Sequence, residues 1–195
     1  MQATTLSFAN FHNHGELFAN IFRARKQSFI VQNKWDLPEV MDMEFDQYDT
    51  PQSRWIAVHH LGEVMAGVRL TPTTARCGIY SYMIRDAQMG LLDSIPQDLL
   101  FNQAPVAPQV WEVTRGFVAH NIPSTIRRKV HTRLVMEMVR ASRAEGINQM
   151  VALLPSNWSR WAKRCALDMS PAGRVMDMGG INYQAVSLDF TAHLH

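Results

Sequence analysis

Residues 54–72 carry two β-type runs, RWIAVHH and VMAGVRLTP, on either side of the short turn Leu61-Gly62-Glu63. Val, Ile and aromatic residues bounded by a Gly-containing turn specify an antiparallel hairpin. A hairpin is half an architecture, because its apolar face needs a cover. The sequence supplies covers on both sides of it. Upstream, Leu17, Phe18, Ile21, Phe22, Phe29 and Ile30 recur at helical spacing, which predicts an amphipathic helix over about Gly15–Val31. Downstream, Ile126, Val130, Leu134, Met138 and Ala141 form a second helical stripe within Thr125–Glu145, with Gly146 as terminator.

Four more strands are predicted, at Gln109–Ala119, at Met150–Leu154 and in the pair Arg174–Met178 and Tyr183–Phe190 around Gly179-Gly180. A short helix follows Ser156, a residue suited to the N-cap. Helix and strand patterns alternating in this order predict an α/β fold, a three-layer domain around a mixed sheet. The 195 residues fit one domain, 1–195, with 1–14 as a flexible tail.

Composition removes whole classes. Hydrophobic residues at 47% with charged residues at 18% exclude a disordered chain. Cys77 and Cys165 alone make neither a disulfide framework nor a cysteine-rich zinc site. The first residues lack the basic and apolar regions of a secretory signal, and no apolar run is long enough to span a bilayer. A cytoplasmic protein that does not enter membranes is expected.

The net charge of +2 hides an asymmetry. Between Lys34 and Arg54 lie Asp36, Glu39, Asp42, Glu44, Asp46 and Asp49, with no basic residue among them. Between Pro123 and Arg164 nine basic residues face only Glu137 and Glu145. An acidic loop suits a cation and a basic surface an anion. His12, His14 and Glu16 sit near a terminus without a partner cluster, so no metal site is expected. The acidic loop lacks calcium-loop spacing, and no G-x-S-x-G, Walker A or G-x-G-x-x-G occurs.

The remaining constellation is ordered along the chain. Arg25 and Phe29 share a helix face, and Trp35 follows. Then come Glu44-x-Asp46-x-x-Asp49, Arg69-Leu70-x-Pro72-Thr73 and Trp111-Glu112-x-x-Arg115. Each residue alone has a mundane explanation as core or as a surface pair. Together they resemble the acyl-homoserine-lactone synthases, the LuxI-type autoinducer synthases. Two departures stand out: the Thr74–Pro108 stretch is longer than is typical, and Thr114-Arg115-Gly116 replaces the family's Ser-Arg-Phe.

The resemblance implies a GNAT-like fold with a mostly antiparallel sheet. It implies acylation of S-adenosylmethionine by an acyl chain carried on acyl carrier protein, then lactonisation with loss of methylthioadenosine. No metal or bound cofactor is needed, since S-adenosylmethionine is a substrate. The binding residues are then Arg25, Phe29, Trp35, Asp46, Asp49 and Arg69. Carboxylates meet the substrate's cationic groups, arginines its carboxylate, and aromatic faces its sulfonium or adenine.

Glu112 is the expected general base, with Arg115 and Arg69 beside it in the reaction. In a regular strand Glu112 and Arg115 face opposite sides, so either a bulge joins them or they act apart. Trp111, Thr114 and Ala152 are expected to wall the acyl pocket. Ala152 stands where some relatives carry a Thr that meets a 3-oxo group. Arg127, Arg128, Arg133, Arg160, Lys163 and Arg164 are expected to receive the acidic carrier protein. An N-acyltransferase using acyl-coenzyme A and another amine is the competing reading. A nucleic-acid-binding module is a weaker competitor, because only Trp158 and Trp161 interleave the basic stretch.

Overall fold

The structure, a computed structural model, describes residues 1–190. Its strands are β1 (Gln2–Leu6), β2 (Glu39–Val40), β3 (Met43–Glu44), β4 (Arg54–His60), β5 (Glu63–Pro72), β6 (Val110–Val118), β7 (Gln149–Pro155), β8 (Asp168–Met178) and β9 (Ile181–Asp189). Its helices are α1 (Gly15–Arg25), α2 (Met83–Gln88), α3 (Ser124–Glu145) and α4 (Trp158–Cys165). Seven strands follow the order β1-β4-β5-β6-β7-β9-β8, and β2 with β3 forms a small ribbon. β6 and β7 run parallel, whereas β1–β4, β4–β5, β7–β9 and β8–β9 are antiparallel. The sheet is thus mixed and mostly antiparallel, as the sequence predicts. Two compact units divide the chain: Met1–Leu70 with Arg115–Ala141, and Thr71–Thr114 with Ser142–His195. The expected domain 1–195 includes residues 191–195, which lie outside the described residues.

In the first unit the predicted hairpin is β4–β5. Its turn is Leu61-Gly62 alone, both at positive φ, the primed geometry that follows the twist of the strands. The buried stripe Leu17, Ile21 and Phe22 of α1 packs on Leu6, Trp55, Ala57 and Val64. Each such side chain contributes about 1.5–3 kcal/mol by leaving water. α3 covers the opposite face: the Thr5 hydroxyl, which alternates with Leu6, donates to Glu137 at 2.7 Å.

The expected flexible tail is corrected here. Residues 2–6 pair with five residues of β4, and Phe11–Asn13 form a 3-10 turn. The Thr-rich run QATTL suits a strand, and pairing satisfies its backbone groups.

In the second unit Tyr82, Ile84 and Ala87 of the α2 region pack with Leu99, Val151 and Met176. Gly173 lets the Leu99 carbonyl approach β8: a Cβ there would lie 1.8 Å from that oxygen. α3 ends at Gly146, φ +68°, with Ile147 N–H donating back to Ser142 O. Ser156 does not cap α4; Asn157 holds that position, without a side-chain cap bond. Among the described residues no helix is long and apolar enough to cross a membrane.

Candidate active site

Arg25 is the last residue of α1, and the helix continues as a π-helical turn over Lys26–Gln32. π-turns often mark functional positions. This one buries Phe29, and the Trp35 amide donates to the Phe29 carbonyl at 3.0 Å. The two rings stack with centroids 5.1 Å apart and planes 10° apart. One indole face is tied to Phe29, and Trp35 keeps 37% of its surface in solvent. The β2–β3 ribbon is fastened to the π-turn by Lys26, whose ammonium meets Glu39 at 2.7 Å and Asp42 at 2.9 Å.

The ribbon ends at Glu44, and the next turn locks itself: Asp46 Oδ1 accepts from Tyr48 N–H and Asp49 Oδ2 from Asp46 N–H, both at 2.9 Å. Three carboxylates are thereby presented to three arginines. Arg25 donates from Nε to Glu44 Oε2 (2.6 Å) and from both terminal nitrogens to Asp49 (2.7 and 2.9 Å). Arg69 on β5 meets Asp46 at 2.5 and 3.2 Å, and Asp49 at 3.0 Å. Arg115 on β6 meets Glu44 at 3.1 Å and Asp46 at 2.7 Å. Arg115 has φ +54°, a left-handed conformation that breaks the strand's alternation. Of the two alternatives the Glu112–Arg115 spacing left open, the contacts fit separate roles: Arg115 meets Glu44 and Asp46, and Glu112 has other partners.

The three formal positive charges balance the three negative ones. Arg25, Glu44 and Arg69 are buried at 1%, 0% and 0% exposure, so partners rather than water must satisfy them. Burial works against ionisation of Asp49, yet Arg69 and Arg25 outweigh it and hold its carboxyl well below the usual range. Asp46 is lowered the same way, its burial outweighed by Arg69 and Arg115. Arg25 is raised: burial opposes its charge, and Asp49 more than compensates. Of the expected binding residues, Arg25, Asp46, Asp49 and Arg69 thus form one network with Glu44 and Arg115. Phe29 adjoins it, with the Arg115 guanidinium 5.8 Å from its ring centre.

Glu112 lies in the second unit, fully buried. Its carboxylate accepts from Ile84 N–H at 2.7 Å and Met83 N–H at 3.1 Å, the first amides of α2. Thr73 pins the approach to β6, its hydroxyl lying 2.8 Å from Val110 O and accepting from Ala107 N–H at 3.0 Å. The β6–β7 ladder runs only from Val110↔Gln149 to Val113↔Ala152.

The expected acyl wall is not brought onto one face. Glu112 and Thr114 alternate toward the side that α2 covers; Trp111 and Val113, with Ala152 paired to Val113, face the other. Trp111 is anchored by its indole N–H to Pro108 O at 3.0 Å.

Arg128 and Arg133 are exposed on the first turns of α3, whereas Arg127 is half-buried and donates to Ala119 O. Arg160, Lys163 and Arg164 are exposed at helical spacing on α4.

The sequence reading left two participants out of the candidate set. Glu44 lay in the quoted acidic motif, which was the available signal. Trp55, whose indole N–H donates to Asp49 Oδ1 at 2.9 Å, carried no signal beyond a hydrophobic run.

Comparison with known proteins places this geometry. The family model described as autoinducer synthase matches residues 9–193. The acyl-homoserine-lactone synthase of Pseudomonas aeruginosa is 33% identical over 102 residues, covering 51% of this chain and 44% of that protein. The acyl-homoserine-lactone synthase of Aeromonas salmonicida is 26% identical over 176 residues, covering 87% of this chain and 79% of that protein. The solved structure of BjaI, a CoA-dependent acyl-homoserine lactone synthase with SAM and isopentyl-CoA, shares the fold. Its TM-score is 0.78 at 20% identity over 99% of this chain and 85% of that one.

Proposed function

The chain belongs to the autoinducer synthase family, and from that premise we propose that it is an acyl-homoserine-lactone synthase using S-adenosylmethionine and an acyl thioester. The observation that carries this reading is the buried, charge-balanced network of Arg25, Glu44, Asp46, Asp49, Arg69 and Arg115 beside the Phe29–Trp35 stack. S-adenosylmethionine brings an ammonium, a carboxylate and a sulfonium. Asp46 and Asp49 attract the cationic groups, Arg25 and Arg69 the carboxylate, and the exposed Trp35 ring offers a face to the sulfonium or adenine.

The amine nitrogen attacks the thioester carbonyl, the thiol leaves and the amine loses a proton. The substrate carboxylate oxygen then attacks its own γ-carbon, and the carbon–sulfur bond breaks to release methylthioadenosine. Glu112, its carboxylate held by the Ile84 and Met83 N–H groups, is the candidate proton acceptor. An α-amine with an ordinary pKa of about 7.7–8.0 is partly neutral at physiological pH, so a carboxylate suffices to take up its proton.

The acyl donor is acyl carrier protein. Arg160, Lys163 and Arg164 on α4 and Arg128 and Arg133 on α3 offer exposed positive charge to an acidic partner. Trp111 and Ala152, on one face of the β6–β7 pair, are the candidates for the acyl wall, and Thr114 on the other face is not part of it. The test is to incubate the purified chain with S-adenosylmethionine and either acyl-acyl carrier protein or acyl-coenzyme A, and to measure products by mass spectrometry. Equimolar lactone and methylthioadenosine are expected, with higher kcat/KM on the carrier protein. No lactone from either donor refutes the activity; better turnover with acyl-coenzyme A refutes the donor assignment.

A further inference from the structure

Asp49 is the most heavily used carboxylate of the network. Its Oδ2 accepts from Arg25 and from Asp46 N–H; its Oδ1 accepts from Arg25 at 2.7 Å, lies 3.0 Å from Arg69, and receives the Trp55 indole N–H at 2.9 Å. Trp55 stands directly opposite Arg69 in the β4–β5 register, and its side chain is fully buried. The indole plane is set by Phe8, Phe18 and Phe22, at centroid distances of 5.8, 5.1 and 5.9 Å. Phe18 and Phe22 belong to α1, the helix that ends in Arg25. An aromatic cluster thus fixes one uncharged donor, and that donor fixes a carboxylate held by two guanidiniums.

We propose that Trp55 is a positioning residue for S-adenosylmethionine binding: its N–H holds Asp49, and through Asp49 the Arg25 and Arg69 forks, in the arrangement the substrate meets. The proposal rests on the reading of this network as the S-adenosylmethionine site. A free carboxylate can rotate about its χ2 and trade hydrogen-bond partners. The indole donor removes that freedom without adding a charge to a balanced cluster. Losing a hydrogen bond to a charged group weakens binding about tenfold when the group must then be reordered by the ligand.

The experiment compares wild type with Trp55→Phe and with Trp55 replaced by β-(3-benzothienyl)alanine, which keeps the bicyclic shape but has sulfur in place of N–H. Binding of S-adenosylmethionine is measured by calorimetry, and KM and kcat for both substrates by turnover. Both variants are expected to bind S-adenosylmethionine about tenfold more weakly, with the acyl-donor KM unchanged. Wild-type affinity in the benzothienyl variant overturns the proposal, because packing alone would then account for Trp55. A matched rise in both KM values, or a fall in kcat alone, also overturns it. Should wild type itself fail to bind S-adenosylmethionine, the site reading falls, and this proposal with it. Wild-type binding with unaffected variants removes the proposal alone.

Discussion

Replacing Glu44 by Gln keeps the shape of the side chain and removes one charge from the centre of the network. Glu44 bridges Arg25 Nε and Arg115 Nε, at 2.6 and 3.1 Å, and it is fully buried. At about 4 Å between charge centres and an effective dielectric near 20, each pair attracts by about 4 kcal/mol before desolvation. The amide retains one acceptor but turns an NH2 toward a guanidinium, so donor faces donor. Carboxylate desolvation no longer opposes folding, which offsets part of the loss. Breaking one side of a buried ion pair costs about 3–5 kcal/mol on balance. Domains hold about 5–15 kcal/mol in total, so the variant loses from about a fifth of its stability at the high end to nearly all of it at the low end. With a urea slope of about 2.5 kcal/mol/M, the midpoint falls by roughly 1.5 M at unchanged slope. Paired urea titrations followed by far-UV circular dichroism make the measurement. A midpoint within about 0.3 M of wild type would show that attraction and desolvation cancel here, and the account of Glu44 as a required bridge would be wrong.

Asp49 is held below its ordinary pKa, so its stabilisation is fully present above about pH 4 and is lost as pH falls through the lower folded value. The gap in urea midpoint between wild type and Asp49→Asn should therefore be constant from about pH 7 to 5 and narrow by about pH 3; a gap still constant there contradicts the assignment. Gly173→Ala forces the Leu99 carbonyl aside and should lower the thermal midpoint by at least about 4 °C, whereas Gly15→Ala, with nothing within 4 Å of the added carbon, should not. Reversing charge at Arg160, Lys163 and Arg164 should raise KM for acyl carrier protein several-fold at low salt and leave KM for S-adenosylmethionine alone. An unchanged carrier-protein KM would remove α4 as the docking helix.

Long elements with a strong period were legible in the sequence: the helices at 15–25 and 124–145 and the 54–72 hairpin follow their apolar patterns. So was the question posed by the Glu112–Arg115 spacing, which on a regular strand puts the two on opposite faces; the left-handed backbone of Arg115 was not legible. α2 was not legible. Six residues, MIRDAQ, carry too little periodicity, and the helix is held from afar by Glu112 at its first amides and by Asp86, which accepts from Ser81. Through the same contact Glu112, expected as the general base, also serves as a helix anchor. The strand at 2–6 was missed because five residues with two threonines and a single leucine resemble a tail until β4 is there to pair with them.

Buried ion pairs among three arginines and three carboxylates are a poor way to stabilise a fold, since apolar packing of equal volume does as well or better. Their presence between α1, the 39–49 loop and β5 therefore points to a demand other than stability. A zwitterionic, sulfonium-bearing substrate supplies that demand: it needs fixed positive and negative groups that do not reorganise when it arrives. Such a site must stay charge-balanced when empty, or it would not stay buried. A fourth cation on Asp49 would break the three-to-three balance, and an unfilled acceptor would let the carboxylate turn. An indole N–H meets both conditions, which is the physical case for a tryptophan at position 55 of β4 where an arginine or a phenylalanine would fail for opposite reasons.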